Sequence, residues 1–292
     1  MNTKVKKAVI PAAGMGTRVL PASKSIPKEM FSIVDKPAIQ YIVEEAAASG
    51  IEDILIITNR GKDAIEDHFD HAIELEQALK TAGKDKAYED LQKCCNMANI
   101  YFLRQKETRG LGDAVLRARG FVGNEPFAVL YGDDVIVGDN PVTAQLIAAY
   151  EKYGKAVAGI HQVTKEQILK YSSVQISPLE NPRSFFISDM IEKPAPDKIM
   201  SLYSILGRCL LTPEIFDILE RTPLGANNEL QLTDAMKTLA QTKGMTGVDF
   251  EGTRFDIGNK FGIIEANITV GLTHPETAEP LKKYIKELAK TL

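Results

Sequence analysis

The chain has 292 residues, 44% hydrophobic and 25% charged, an ordinary globular composition and enough for one large α/β domain or two small ones. Its net charge of −4, with both signs interspersed, argues against a general nucleic-acid or anionic-membrane surface, so cations for binding phosphate must be gathered locally. No apolar run approaches the roughly 18 residues of a membrane span, and Met1 to Lys7 lacks the apolar core of a signal peptide, so the expectation is a cytoplasmic protein with no nucleic-acid or membrane partner.

The first element is a short buried strand, Ala8 to Pro11, which stops at small residues and a Gly-x-Gly turn, Gly14-Met15-Gly16, followed by Thr17, Arg18, Lys24 and Lys28. Glycines bring a backbone close to a ligand, and exposed N–H groups with fixed cations neutralise phosphate oxygens. The Rossmann fingerprint fails here because position 19 is Val19, and no Gly-Lys-Ser/Thr run makes a Walker loop. Lys36 to Gly50 carries Ile39, Ile42, Val43 and Ala46 at helical spacing with Gly50 as C-cap, and Asp53 to Thr58 is a second buried strand. Strand, phosphate loop, helix and strand begin a doubly wound sheet. Gly61 to Lys93 is charged and predicted helical; His68 and His71 fall one turn apart there with no third ligand evident nearby, which favours a solvated helix over a metal pair.

Asn99 to Gln105 predicts the third strand, and Arg109 to Ala114 turns into a helix. Phe127 to Tyr131 is another apolar strand running into Gly132-Asp133-Asp134; acids at the carboxyl end of a buried strand sit at the ligand edge of an open sheet. If the strand continued through them, the two carboxylates would face opposite ways. Lys155 to Val163, Tyr171 to Ser177 and Ser184 to Ile191 are predicted strands of a second region lying over the first, ending in Glu192-Lys193-Pro194. Thr212 is a good N-cap before Pro213, and Pro275 to Leu292 is predicted as an amphipathic end helix. Cys94, Cys95 and Cys209 lack CxxC spacing, so reduced thiols are expected and neither a disulfide frame nor a zinc site is suggested.

Gly14-Met15-Gly16-Thr17-Arg18, two residues, Pro21 and then Pro27-Lys28-Glu29-Met30 resembles the signature of the sugar-nucleotide pyrophosphorylases. The Pro-Lys-Glu-Met ending looks most like the branch that joins UTP to glucose 1-phosphate, giving UDP-glucose and pyrophosphate. The resemblance continues through Gln105 and Gly110, Asp133, Glu192-Lys193-Pro194, Leu206-Gly207-Arg208, Glu229-Leu230-Gln231-Leu232-Thr233-Asp234-Ala235 and Phe255-Asp256-Ile257-Gly258. It implies a Rossmann-like, doubly wound mixed sheet in one main domain with an inserted sugar-binding β region. The expected divisions are residues 1–153 for nucleotide and 154–272 for sugar, with a terminal helix over 273–292.

By the same resemblance, Gly14, Gly16, Thr17 and Glu29 bind nucleotide with Arg18 and Lys28 on its phosphates, and Ala12, Ala13, Gln105 and Gly110 hold the base. Lys193 meets the sugar phosphate; Glu192, Ser172, Gly207 and Glu229 line the sugar side; Asp133 and Asp256 bind Mg2+. Homodimers or homotetramers are implied. The chain departs from the family at Ser23, Cys209 and Asn227-Asn228, and at Ser172, where a glycine amide normally approaches a sugar hydroxyl. Ser172 therefore leaves the accepted sugar open; the rivals are a pyrophosphorylase for another pair, dTTP or another hexose 1-phosphate, and, from a different class, a non-catalytic sugar-nucleotide sensor.

Overall fold

The computed structural model describes residues 4–225 and 228–292; Asn227 of the Asn227-Asn228 pair lies outside them. The first apolar run forms β1 (Lys7–Pro11), and the loop after it makes three short 3-10 turns before a minimal hairpin, β2 (Ser32–Ile33) and β3 (Lys36–Pro37). Helix α1 (Ala38–Ala48) buries Ile39, Ile42, Val43 and Ala46, as their spacing predicts. Gly50 follows it at φ 84°, donating to the Ala47 carbonyl at 3.0 Å while Ile51 donates to Ala46 at 3.2 Å, which satisfies two orphan carbonyls at the helix end. Next come β4 (Asp53–Thr58) and, over the charged stretch, three helices: α2 (Asp63–Phe69), α3 (Ile73–Thr81) and α4 (Asp85–Asn96). His71 lies beyond the end of α2, so the two histidines do not share a helix face.

The chain continues through β5 (Asn99–Arg104), α5 (Leu111–Arg117), α6 (Arg119–Val122), β6 (Phe127–Leu130), β7 (Asp134–Val137), α7 (Val142–Tyr153), β8 (Val157–Gln162) and α8 (Lys165–Ile168). After these come β9 (Ser172–Pro178), β10 (Ser184–Glu192), β11 (Tyr203–Leu211), α9 (Glu214–Arg221), α10 (Leu232–Lys243), β12 (Met245–Asp249), β13 (Thr253–Asp256), α11 (Lys260–Gly271) and α12 (Ala278–Leu288). Thr212 does not cap α9 with its hydroxyl; Pro213 is the cap residue, and the Thr212 carbonyl accepts from Ile215 at 3.1 Å. No residue of α12 is buried. Among the described residues, no helix is long and apolar enough to cross a membrane.

Nine strands form one mixed sheet in the order β5-β4-β1-β6-β11-β8-β12-β10-β9. The first four are parallel, β11 runs antiparallel to both β6 and β8, and the later strands extend the same sheet instead of lying over it. Both faces are covered, which explains the unbroken apolar runs of the parallel strands. Ala8 and Ile10 of β1 pack with α1 and α7, while Val9 packs with α5, α9 and α10 on the other face. Phe127 stacks on Phe216 across that second layer, ring centroids 5.3 Å apart. A separate hairpin pairs β13 with β7, setting Asp256 opposite Asp134.

Candidate active site

A cavity of about 870 Å³ opens where β1, β6 and the β7–β13 hairpin end, lined by the Gly14 to Arg18 loop, Lys28, Asp133, Asp256, Glu192 and Lys193. A recess of about 240 Å³ adjoins it, sharing Gly14, Lys28, Tyr131, Asp133 and Glu229 and adding Ala13, Gln105 and Gly110. Segments far apart in sequence thus meet at the carboxyl edge of the parallel strands, where open α/β sheets bind ligands. Lys24 is exposed and lines neither space. Ser23, where threonine was expected, still serves the loop: its hydroxyl donates to the Gly16 carbonyl at 2.7 Å.

The floor beneath the loop is charged and buried. Lys62 reaches both oxygens of the fully buried Glu29, at 2.9 and 2.7 Å, and also donates to the Ala12 carbonyl. Burial pushes the Glu29 carboxyl up and the Lys62 ammonium down, against their mutual attraction. Glu29 therefore supports the loop through Lys62. Both backbone groups of Ala12 are taken as well, its N–H by the Ile57 carbonyl at 2.8 Å, so Ala12 anchors the strand end while Ala13 faces the recess.

Two carboxylates, Asp133 and Asp256, converge on the Arg18 guanidinium. Strand β6 stops before Gly132, and the turn aims Asp133 into the cavity while Asp134 starts β7 and turns inward to Arg254, 2.5 Å away. Both acids line the cavity, with Asp134 engaged by that guanidinium and Asp133 by Lys28. Burial, with Asp133 and Asp256 nearby, pushes Asp134 up to about 6 against the pull of Arg254. Asp256 accepts from the Gly258 N–H at 2.9 Å and from the Tyr171 hydroxyl at 3.5 Å. Arg18 stands 3.6 Å from Asp133 and 3.4 Å from Asp256, and Lys28 lies 2.5 Å from Asp133. Burial opposes both charges of the Lys28–Asp133 pair, but their attraction outweighs it: Asp133 stays below the usual carboxylate range and Lys28 above the usual lysine value.

Gly258 closes this cradle: a Cβ there would lie 2.8 Å from Asp133 Oδ2 and 2.9 Å from Asp256 Oδ1. Two hard oxygen donors facing one space already approached by cations fit a divalent metal such as Mg2+.

Gln105 is buried at the back of the recess, and its Nε2 donates to Asp113 at 2.7 Å and to the Gly110 carbonyl at 3.3 Å. A carboxylate only accepts, so Asp113, itself held by Arg117 at 2.8 Å, fixes which way the amide turns and leaves Gln105 Oε1 as an acceptor. Gly110, at φ 101°, passes so close to the Glu229-Leu230 backbone that a Cβ would meet the Leu230 carbonyl at 2.7 Å. Sequence order alone did not point to Asp113, although it stands on the first turn of the helix that follows Gly110.

On the opposite wall, Glu192 accepts from the Thr233 hydroxyl at 2.9 Å and burial pushes its carboxyl up. Lys193 has φ 45°, a left-handed backbone that an unbranched lysine adopts at a cost, fixed by its N–H donating to Tyr171 at 2.8 Å. Ser172 lines the cavity, but its hydroxyl faces β11, 3.3 Å from Ser204 and accepting from Ile205 N–H at 3.2 Å. The side chain that set Ser172 apart from a glycine is thus absorbed by the sheet. Gly207 does not line the cavity; at φ 70°, a Cβ there would strike Asp134 at 2.6 Å, so glycine is needed for packing. Arg254 and Tyr171, which brace the aspartates, were missed; Arg254 stands two residues before Asp256 on the same face of β13, a period-two signal.

Residues 7–271 match the nucleotidyl transferase family. A UTP–glucose-1-phosphate uridylyltransferase of Bacillus subtilis (strain 168) is 48% identical over 290 residues, covering 99% of this chain and 97% of that protein. A UDP-glucose pyrophosphorylase solved with UDP-glucose superposes with TM-score 0.84 at 41% identity, covering 92% of this chain and 100% of the other. A UTP-bound enzyme of Acinetobacter baumannii gives 0.90 at 37% identity, over 97% and 99% of the two chains. With the family model matched over residues 7–271, relatives matched over nearly the full length and the mixed sheet shared with solved structures, the chain belongs to the nucleotidyl transferase family.

Proposed function

We infer that this chain is an enzyme that transfers the uridylyl group of UTP to glucose 1-phosphate, releasing pyrophosphate and leaving UDP-glucose. The observation that carries this reading is the single cavity in which the Gly14 to Arg18 loop, the Asp133–Asp256 pair and Glu192-Lys193 face one another. Relatives named for this reaction and solved structures with UTP and UDP-glucose support it.

In this mechanism the triphosphate lies along Gly14, Gly16 and Thr17, with Arg18 and Lys28 offsetting its charge. The sugar phosphate sits on Lys193 and the sugar hydroxyls on Glu192, with Glu229 and the backbone of Ser172 completing the pocket. A phosphate oxygen of glucose 1-phosphate attacks the α-phosphorus of UTP in line, and the bond to the β-phosphate bridge oxygen breaks, so pyrophosphate leaves toward Arg18. The nucleophile is already an anion, which makes alignment and charge neutralisation the main tasks and proton transfer a minor one. Mg2+ held by Asp133 and Asp256 would supply Lewis-acid stabilisation of the phosphate oxygens. Release of pyrophosphate from UTP, dTTP and CTP with a panel of sugar 1-phosphates, with and without magnesium, tests the assignment. Fast, magnesium-dependent release with UTP and glucose 1-phosphate is expected, and release only with another pair would overturn the substrate reading.

Two substitutions probe the roles. Lys193→Ala is expected to lower kcat about 10²-fold with the melting curve unchanged, because a charge contact at the transferring phosphate is lost. A rate within about threefold of wild type would remove Lys193 from the chemistry. Uracil presents N3–H, a donor that the fixed Gln105 Oε1 accepts, whereas cytosine presents an acceptor there. Asp113→Asn frees the amide to turn, and the preference for UTP over CTP, read as a ratio of kcat/KM, is expected to narrow about tenfold, the worth of one hydrogen bond. An unchanged ratio would show that Asp113 does not set the base choice.

A further inference from the structure

His68, Cys94 and Cys95 line one cavity that shares no lining residue with the site above, and His71 stands against Glu76 at its edge. It measures about 740 Å³ and lies among α1, α2, α3 and α4. His71 Nδ1 is 2.9 Å from Glu76 Oε1, and a ligand atom of each of His71, Glu76 and Cys95 lies within 4.8 Å of the other two. Close by, Cys94 Sγ is 3.5 Å from His68 Nε2, so the adjacent cysteines each approach a different histidine. Six carboxylates and two lysines line the cavity, which makes its potential negative. An ordinary ion pair accounts for His71 with Glu76, and Cys95 brings beside them a thiol whose own hydrogen bond runs to the Asp70 carbonyl. Imidazole, thiol and carboxylate converging beside an acidic pocket offer, once the thiol has lost its proton, the donors that a zinc-class ion prefers. Such an ion, about 2.0–2.3 Å from each donor, needs ligand atoms about 3.3–3.8 Å apart, which small side-chain rotations supply.

We propose that His71, Glu76 and Cys95 form a binding site for a thiophilic divalent transition metal of the zinc class, with water as the fourth ligand. As the metal–sulfur bond forms, the Cys95 thiol, which donates to the Asp70 carbonyl at 3.3 Å, gives its proton to solvent, and neutral His71 binds through Nδ1. Bound metal ties the link between α2 and α3 to α4. Helix α2 follows directly on Lys62, the residue that grips the floor of the phosphate loop. The site therefore stabilises the nucleotide side of the fold without entering the reaction.

The full chain, stripped with a chelator, is titrated with Zn2+ against a chromophoric competitor and separately with Co2+. One equivalent of zinc with a raised Tm is expected, together with a thiolate-to-cobalt charge-transfer band in the near ultraviolet. The carboxylate pair Asp133 and Asp256 holds no sulfur and cannot produce that band. Cys95→Ser is expected to abolish the band, and both Cys95→Ser and His71→Ala to weaken zinc at least about tenfold. Absence of the band in the wild type, its survival in Cys95→Ser, or zinc affinity unchanged in both variants would each overturn the proposal.

Discussion

Asp133→Asn is expected to lower kcat by about 10²–10³, the loss found when one preorganised charge contact at a reacting centre is removed. Asp133 is the carboxylate that Lys28 holds at 2.5 Å and that faces Asp256 across Gly258. An amide there keeps the shape and loses the charge, so Lys28 stands beside a neutral group and Asp256 alone remains to hold a cation. The magnesium concentration for half-maximal rate is expected to rise together with the fall in kcat, while the melting temperature stays within a few degrees because the side chain is partly exposed. The companion Asp134→Asn should behave in the reverse manner, losing stability first, because Asp134 answers Arg254 inside the protein. Steady-state rates at several magnesium concentrations separate the two; a normal magnesium dependence in Asp133→Asn would defeat the metal assignment.

The largest loss of stability is expected from Arg208→Ala. Arg208 is 1% exposed at the centre of β11, and its guanidinium meets Glu45 of α1 at 2.7 to 3.1 Å and the carbonyls of Asp134 and Gly207 at 2.9 and 3.0 Å. Glu45 in turn accepts from the N–H and hydroxyl of Thr143 at 3.0 and 2.7 Å, so the network is well satisfied. Taking away the arginine strands a buried carboxylate, which costs about 3–5 kcal/mol, a large part of the stability of a typical domain. Replacing both members, with Arg208→Met and Glu45→Gln together, should cost markedly less, since no charge is then left alone. Urea unfolding of the single and double variants measures the difference. A single-variant loss below about 1 kcal/mol would mean that water reaches Glu45.

Much of the nucleotide side was legible because its signals are local. The β1 run, the Gly14 to Arg18 turn, the apolar stripe of α1 and Gly50 beyond it are each written in consecutive residues and recur in the structure. The pairing of Asp133 with Asp256 came from resemblance; the β7–β13 register sets Asp256 opposite Asp134, the neighbour of Asp133. The unread parts depend on neighbours distant in sequence. Periodicity tells which face of a strand is buried but not which strand lies alongside, so the insertion of β11 between β6 and β8 was invisible. The same limit hid why Gly207 is glycine, where the Ser172 hydroxyl goes, and that Lys62 grips Glu29. At Gly61 to Lys93, charge and helical spacing gave helices but not their breaks, and those breaks bring His71 to Glu76 and Cys95.

The hydrogen-bond ladder has a mechanical consequence. Because β11 is laced to β6 on one side and β8 on the other, the strands on its two sides cannot swing apart like the jaws of a hinged enzyme without tearing the middle of the sheet. On the function proposed above, substrate entry and product exit fall to the loops along the carboxyl edge, chiefly Gly14 to Lys28 and the turn through Lys193. Amide exchange should then find a slow, cooperative block from β4 to β12 beneath fast rims, and a chain cut between α7 and β8 should yield two pieces that recover structure only in each other's company.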